Sequence, residues 1–159
     1  MNKIASKINF KQHKFAVIGL GETGISIIEY LEHVKASVLK IFDTRDNPPH
    51  QDRVSAYELF SGKLDINEFS NIDVIVVSPG VSIYEPVLQE LITHGKIVVG
   101  DIELFAQAIS SWSSKVIGIT GSNGKTTVTT LTGYLAQASG YTTLVAGNIG
   151  VPVLRSYIE

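Results

Sequence analysis

No cysteine occurs among the 159 residues, which excludes disulfides and thiolate-held metals. Nowhere does an apolar run approach the roughly 20 residues needed to cross a bilayer, so membrane insertion is not expected. Basic residues are not in excess either: 13 Lys and Arg stand against 15 Asp and Glu, a formal net charge of −2. Without a basic stripe, nucleic acid and anionic membrane surfaces are poor partners. The four histidines, His13, His33, His50 and His94, are scattered without the paired spacing of a metal site and read as surface or helix-end residues. Residues 1–14 contain lysines but no continuous apolar core and no small-residue cleavage site. A secretory signal is therefore not expected, and a cytoplasmic location is the default.

What the chain does have is enough apolar material for a core, 44% of its residues, in an order that suggests a fold. Apolar runs alternate with helical patterns, the signature of a parallel sheet with crossover helices. Strands are expected at residues 14–19, 37–42, 57–60, 73–78 and 96–99. Helices are expected from about 24 to 33, 85 to 94 and 101 to 109. The runs are apolar on both faces, as a sheet covered on both sides requires. Ser110 to Ser114, four serines around the single tryptophan, Trp112, is the best linker. The expected architecture is α/β: a Rossmann-like parallel-sheet domain over 1–110, then an incomplete P-loop α/β domain over 111–159. In that second unit strands are expected at 115–119 and 142–146, with a helix from about 124 to 139 between them. Two strands in 45 residues are too few for an autonomous domain. The chain thus reads as a fragment, or as one whose open sheet edge self-associates.

Two segments carry chemistry. Gly118-Ile119-Thr120-Gly121-Ser122-Asn123-Gly124-Lys125-Thr126-Thr127 sets a glycine-rich turn and a lysine between a strand and a helix. Backbone N–H groups at such a helix start face an anion. Lys125 adds a point charge for terminal phosphates, and the Thr126 hydroxyl is placed for Mg²⁺. Ile119 stands where the strict pattern has glycine, so the match is a variant; the bland alternative is a glycine-rich helix cap. The second segment, Gly19-Leu20-Gly21-Glu22-Thr23-Gly24, fits G-x-G-x-x-G between a strand and a helix. Asp43 follows Gly24 by 19 residues, as in the dinucleotide fingerprint. Asp43 can hold a ribose hydroxyl, or Asp43-Thr44-Arg45 can read a base edge.

Two phosphate-type turns on consecutive units suggest two ligands brought together, one of them ATP-like. With Val77-Ser78-Pro79-Gly80-Val81, Gly100-Asp101-Ile102-Glu103-Leu104-Phe105 and Gly147-Asn148-Ile149-Gly150-Val151-Pro152 added, nearly the whole chain resembles the ATP-dependent Mur ligases of peptidoglycan synthesis. The Ser-Pro-Gly and Gly-Asp-Ile-Glu-Leu-Phe pieces resemble the branch that adds D-glutamate to UDP-N-acetylmuramoyl-L-alanine. That family tolerates Ile119.

The resemblance implies ATP and Mg²⁺ at Gly121, Ser122, Asn123, Gly124, Lys125, Thr126 and Thr127, with Lys125 catalytic and Thr126 on the metal. It implies a UDP-sugar at the first unit: Glu22, Thr23 and Gly24 along the diphosphate, Asp43 and Thr44 at the uracil, Gly80 from the facing loop, and Asn148 from the second unit. Since the family often has an apolar residue at the place of Glu22, its backbone N–H is expected to bind while its side chain points away. A hinge at residues 110–114 would let the two units close. An NAD-binding enzyme or sensor and a non-catalytic P-loop module remain as alternatives. Asp101 reads as a helix cap rather than one of a pair of acids with Glu103, Pro48-Pro49 as a loop stiffener, and Trp112 as cover for the domain junction. On spacing alone Asn148 can equally be a turn former.

Overall fold

A computed structural model describes residues 8–159. Five short strands, β1 (Lys14–Ile18), β2 (Ser37–Asp43), β3 (Glu58–Ser61), β4 (Val74–Val77) and β5 (Ile97–Gly100), form one parallel sheet in the order β3-β2-β1-β4-β5. Every expected strand of the first unit is present, with boundaries moved by a residue or two. From β1 the chain moves outward through α1 (Glu22–His33) to β2, and β4 lies on the opposite side of β1. The loop leaving β1 thus opens where the strand order reverses, the usual position of a ligand crevice in an open α/β sheet.

Alternation along the strands divides the core into two layers. Phe15, Val17, Ile41, Val74 and Val76 face α1, α3 (Asp101–Ala108) and α5 (Val153–Ile158), where they meet Ile27, Leu31, Leu104 and Leu154. Ala16, Ile18, Phe42, Ile75 and Val77 face Phe69, Ile72 and the apolar side of α2 (Pro86–Thr93), Leu88 and Leu91. Fully burying each such side chain stabilises by about 1.5–3 kcal/mol, so strands apolar on both sides hold two helical layers. Phe42 stacks between Phe60 and Phe69, with ring centroids 5.0 and 4.3 Å away. Helix α2 starts with Pro86 in its first turn, where the missing N–H costs nothing.

Three features depart from expectation. Residues 115–119 and 142–146 are not strands. A strand needs a hydrogen-bonded neighbour, and no described strand lies beside either segment; Val116 and Ile117 are left exposed. The open edge on which self-association was expected is therefore not formed as a strand. Secondly, helix α4 (Lys125–Ala138) follows the glycine-rich turn as expected, but α5 was not anticipated. Val153 and Leu154 of α5 are buried in the layer formed by the first unit, against α1 and α3. Trp112 stacks on Tyr157 of α5 at 5.2 Å and is half exposed, so it covers the helix that returns to the first sheet. Finally, Asp101 is not a cap. Strand β5 runs straight into α3, so extended Gly100 takes the N-cap place and Asp101 becomes the first helical residue, buried. Burial raises its carboxyl above the usual range, while the N–H groups of Ile102 and Asp101 itself pull the other way.

Candidate functional site

At the end of β1 the ladder extends one step into the loops. Gly19 N–H donates to the Phe42 carbonyl at 2.7 Å, and Ser78 N–H to that of Ile18 at 2.8 Å. A Cβ on Gly19 would lie 2.8 Å from that of Ser78, so the turn after β1 and the Ser78–Val81 turn after β4 touch. A Cβ on Gly24 would lie 1.8 Å from the Gly19 carbonyl oxygen. Only glycine lets α1 start this close to the strand it follows. No side chain caps α1, leaving its first N–H groups available to a ligand.

Asp43 ends β2 and is 1% exposed. One carboxylate oxygen accepts the Leu20 N–H at 2.6 Å, and the other accepts the Arg45 N–H at 2.9 Å. The Arg45 guanidinium grips both oxygens, through Nε at 2.8 Å and Nη2 at 2.6 Å. Burial, the largest influence, pushes this carboxyl up, but the Arg45 side chain and the two N–H groups outweigh it and hold the carboxyl below its ordinary value. Asp43 thereby fixes the glycine turn, while its neighbour Thr44 is exposed.

A cavity of 580 Å³ opens between Glu22 and Thr23 on one side and Gly147, Asn148 and Pro152 on the other, with Arg155 in its wall. Glu22, Thr23 and Asn148 are thus brought together across 125 positions of sequence; Gly24, Asp43, Thr44 and Gly80 do not line this cavity. The Glu22 side chain does not leave the site as expected. It lines the cavity, its oxygens 3.2 Å from His50 Nε2 and 3.4 Å from Arg155 Nη1. Arg155 also donates through Nε to Glu29 at 2.9 Å, and the other Glu29 oxygen takes Arg53 Nη2 at 2.7 Å. Sequence reasoning missed Arg155 and His50, because neither lies in a recognisable motif. The available signal was Pro152 followed by apolar Val153, Leu154, Tyr157 and Ile158, a one-sided helical pattern with Arg155 off the apolar side.

At the second turn, Gly124 adopts φ +73° as the N-cap of α4, a left-handed conformation that favours glycine. Lys125 folds back over the turn, donating to the carbonyls of Gly121 and Ser122. Ser122, Asn123, Thr126 and Thr127 are exposed around it. Uncapped amides, one lysine and adjacent hydroxyls suit a nucleotide phosphate. Among the described residues no cluster of three or more His, Asp or Glu could cage a metal. Nor is any described helix long and apolar enough to cross a membrane.

The family model described as Mur ligase MurD-like, N-terminal domain, matches residues 13–100. A UDP-N-acetylmuramoylalanine--D-glutamate ligase of Vibrio campbellii is 46% identical over 144 residues, covering 89% of this chain and 32% of that protein. One from Nitrosomonas europaea is 40% identical over 159 residues, covering 96% of this chain and 34% of its own length. The chain therefore spans about a third of the curated relatives it matches. Among solved structures, a pseudomurein peptide ligase type C from Methanothermus fervidus aligns with TM-score 0.51 and 24% identity, over 81% of this chain and 27% of that one. That likeness speaks for the fold alone.

Proposed function

The chain belongs to the Mur ligase family, with a MurD-like N-terminal domain, and from that premise we propose that it forms the front part of an enzyme joining D-glutamate to UDP-N-acetylmuramoyl-L-alanine. In this reading residues 1–110 hold the UDP substrate and residues 111–159 begin the ATP-binding domain, in the cytoplasm. The observation that carries it is the cavity pairing Glu22 and Thr23, at the start of α1, with Asn148 from the second unit. The first glycine-rich turn and the Gly147–Pro152 turn thus face one another across a single space.

The chemistry explains the parts. A carboxylate is a poor acyl donor, so ATP first phosphorylates the alanine carboxylate; the amine of D-glutamate then attacks the acyl phosphate, phosphate leaves and an amide remains. Negative charge accumulates as two anions approach, and Lys125 offsets it from the start of α4. Gly121 to Gly124 and Thr127 would hold the nucleotide, and Mg²⁺ at Thr126 would supply further charge neutralisation. Thr23, Gly24 and the backbone of Glu22 would meet the diphosphate, with Gly80 on the loop opposite and Thr44 at the uracil. Asp43 would act there by holding the turn and Arg45 in place, since both its oxygens are already engaged.

Ligand-induced thermal shifts test the reading. Stabilisation by UDP-N-acetylmuramoyl-L-alanine and not by NADH is expected. Stabilisation by NADH alone would replace it with a dinucleotide-binding protein, and by ATP·Mg²⁺ alone with a non-catalytic P-loop module.

A further inference from the structure

Five charged or titratable side chains form a continuous chain of contacts, of which Glu22 and Arg155 line the cavity. Arg53 holds Glu29, Glu29 holds Arg155, Arg155 reaches Glu22, and Glu22 reaches His50. His50 and Arg53 belong to one short segment, and Glu22 and Glu29 lie two turns apart on α1. Arg155 is the only member from the second unit. The contacts are unequal. Glu29 has 2.7 and 2.9 Å bonds to its arginines, whereas Arg155 approaches Glu22 only to 3.4 Å. The Glu22 side chain is 59% exposed, and Arg155 Nη2 is enclosed without an acceptor. The guanidinium is thus firmly anchored at one nitrogen and under-satisfied at the other two. It sits in the wall of a cavity that also presents Thr23 and Asn148.

We propose that this cavity takes its anion by exchange: the Glu22 carboxylate stands against Arg155 and His50, and a nucleoside diphosphate displaces it and takes both as partners. Arg155 turns about its Glu29 anchor, so α5 stays docked while the Nη nitrogens swing to phosphate oxygens, for which a planar guanidinium is well matched. A diphosphate brings more charge and more acceptor oxygens than one carboxylate, which drives the exchange. It also resolves the placing of an acidic side chain at a diphosphate site, because Glu22 is an occupant that leaves. The inference rests on the UDP-substrate reading and adds Arg155, His50 and Glu22 as determinants of diphosphate affinity.

Calorimetric titration of the 159-residue chain with UDP and with uridine tests it. Glu22→Gln removes the competing charge and is expected to tighten UDP binding about three- to tenfold without changing uridine binding. Arg155→Gln is expected to weaken UDP about tenfold or more, again sparing uridine, with Arg155→Lys recovering part of the loss. UDP affinity of Glu22→Gln within twofold of wild type, or weaker, overturns the exchange whatever Arg155→Gln does, including failure to fold. Wild type that binds neither UDP nor UDP-N-acetylmuramoyl-L-alanine removes the underlying reading instead.

Discussion

The Asp43 carboxylate, at the end of β2, accepts the backbone N–H of Leu20, in the turn leaving β1, at 2.6 Å. A side chain on one strand thereby sets the shape of the loop on its neighbour, 23 positions earlier in the chain. The same carboxylate, through its bonds to Arg45, ties the turn after β2 to the turn after β1.

Asp43→Asn is expected to cost about 1.5–3 kcal/mol at pH 7, the range for hydrogen bonds to a charged group. The folded-state carboxyl lies below its ordinary value, so its contribution is present above the unfolded value of about 4 and disappears as pH falls through the folded one. Urea midpoints of the two proteins should differ at pH 7 and converge as the pH is lowered through the folded-state value, below the ordinary carboxylate range. A constant gap would show that the Leu20 and Arg45 bonds do not depend on ionisation.

Gly24→Ala places a methyl group 1.8 Å from the Gly19 carbonyl oxygen, whereas a methyl at Gly80 meets nothing within 4 Å. Gly24→Ala should lower stability by about 3 kcal/mol or more through forced movement of α1. Gly80→Ala should fold like wild type, so any loss of UDP affinity it shows reports on the ligand. Equal melting temperatures for the two variants would contradict the close approach.

Tyr30 and Tyr57 both have hydroxyls pushed up to about 12, Tyr30 by burial and the nearby Tyr157, Tyr57 by burial and its bond to Glu32. Unfolded tyrosine ionises near 10, so the folded state resists a deprotonation that the unfolded state accepts. Stability should therefore fall between about pH 10 and pH 12. Absorbance titration should show two tyrosines ionising late, and Tyr30→Phe should lessen the alkaline loss.

Lys125 is exposed and bonds only to the carbonyls of its own turn. Lys125→Ala should leave the melting temperature of the chain unchanged and, if the proposed ligase reading holds, UDP-substrate affinity of the whole enzyme within a few fold. Turnover should drop by at least about 3 kcal/mol in barrier, more than a hundredfold. Parallel loss of turnover and UDP-substrate affinity would mean that the turn serves the other ligand.

Much of the fold was legible because its signals are local. Apolar runs of four to six residues, glycine-rich turns and helical spacing lie within single windows, and they located five strands, the two phosphate-type turns and helices α1 to α4. Helix α5 was not legible. Six residues are too few for periodicity to declare itself, and its stability comes from burying Val153 and Leu154 against α1 and α3 rather than from propensity. Strands at 115–119 and 142–146 failed for the converse reason: their composition is right, but a ladder needs a neighbour that composition cannot provide.

The sequence by itself determined where the glycine-rich turns lead into helices, since φ and close approach follow from glycines at fixed spacing. Only the tertiary structure decided what surrounds them. Arg155 meets Glu29 across 126 positions, Asp43 turns inward to hold a loop, and Glu22 lies within reach of Arg155 and His50. Charges find partners through space, and their energies depend on distances of a few ångströms that no linear spacing records.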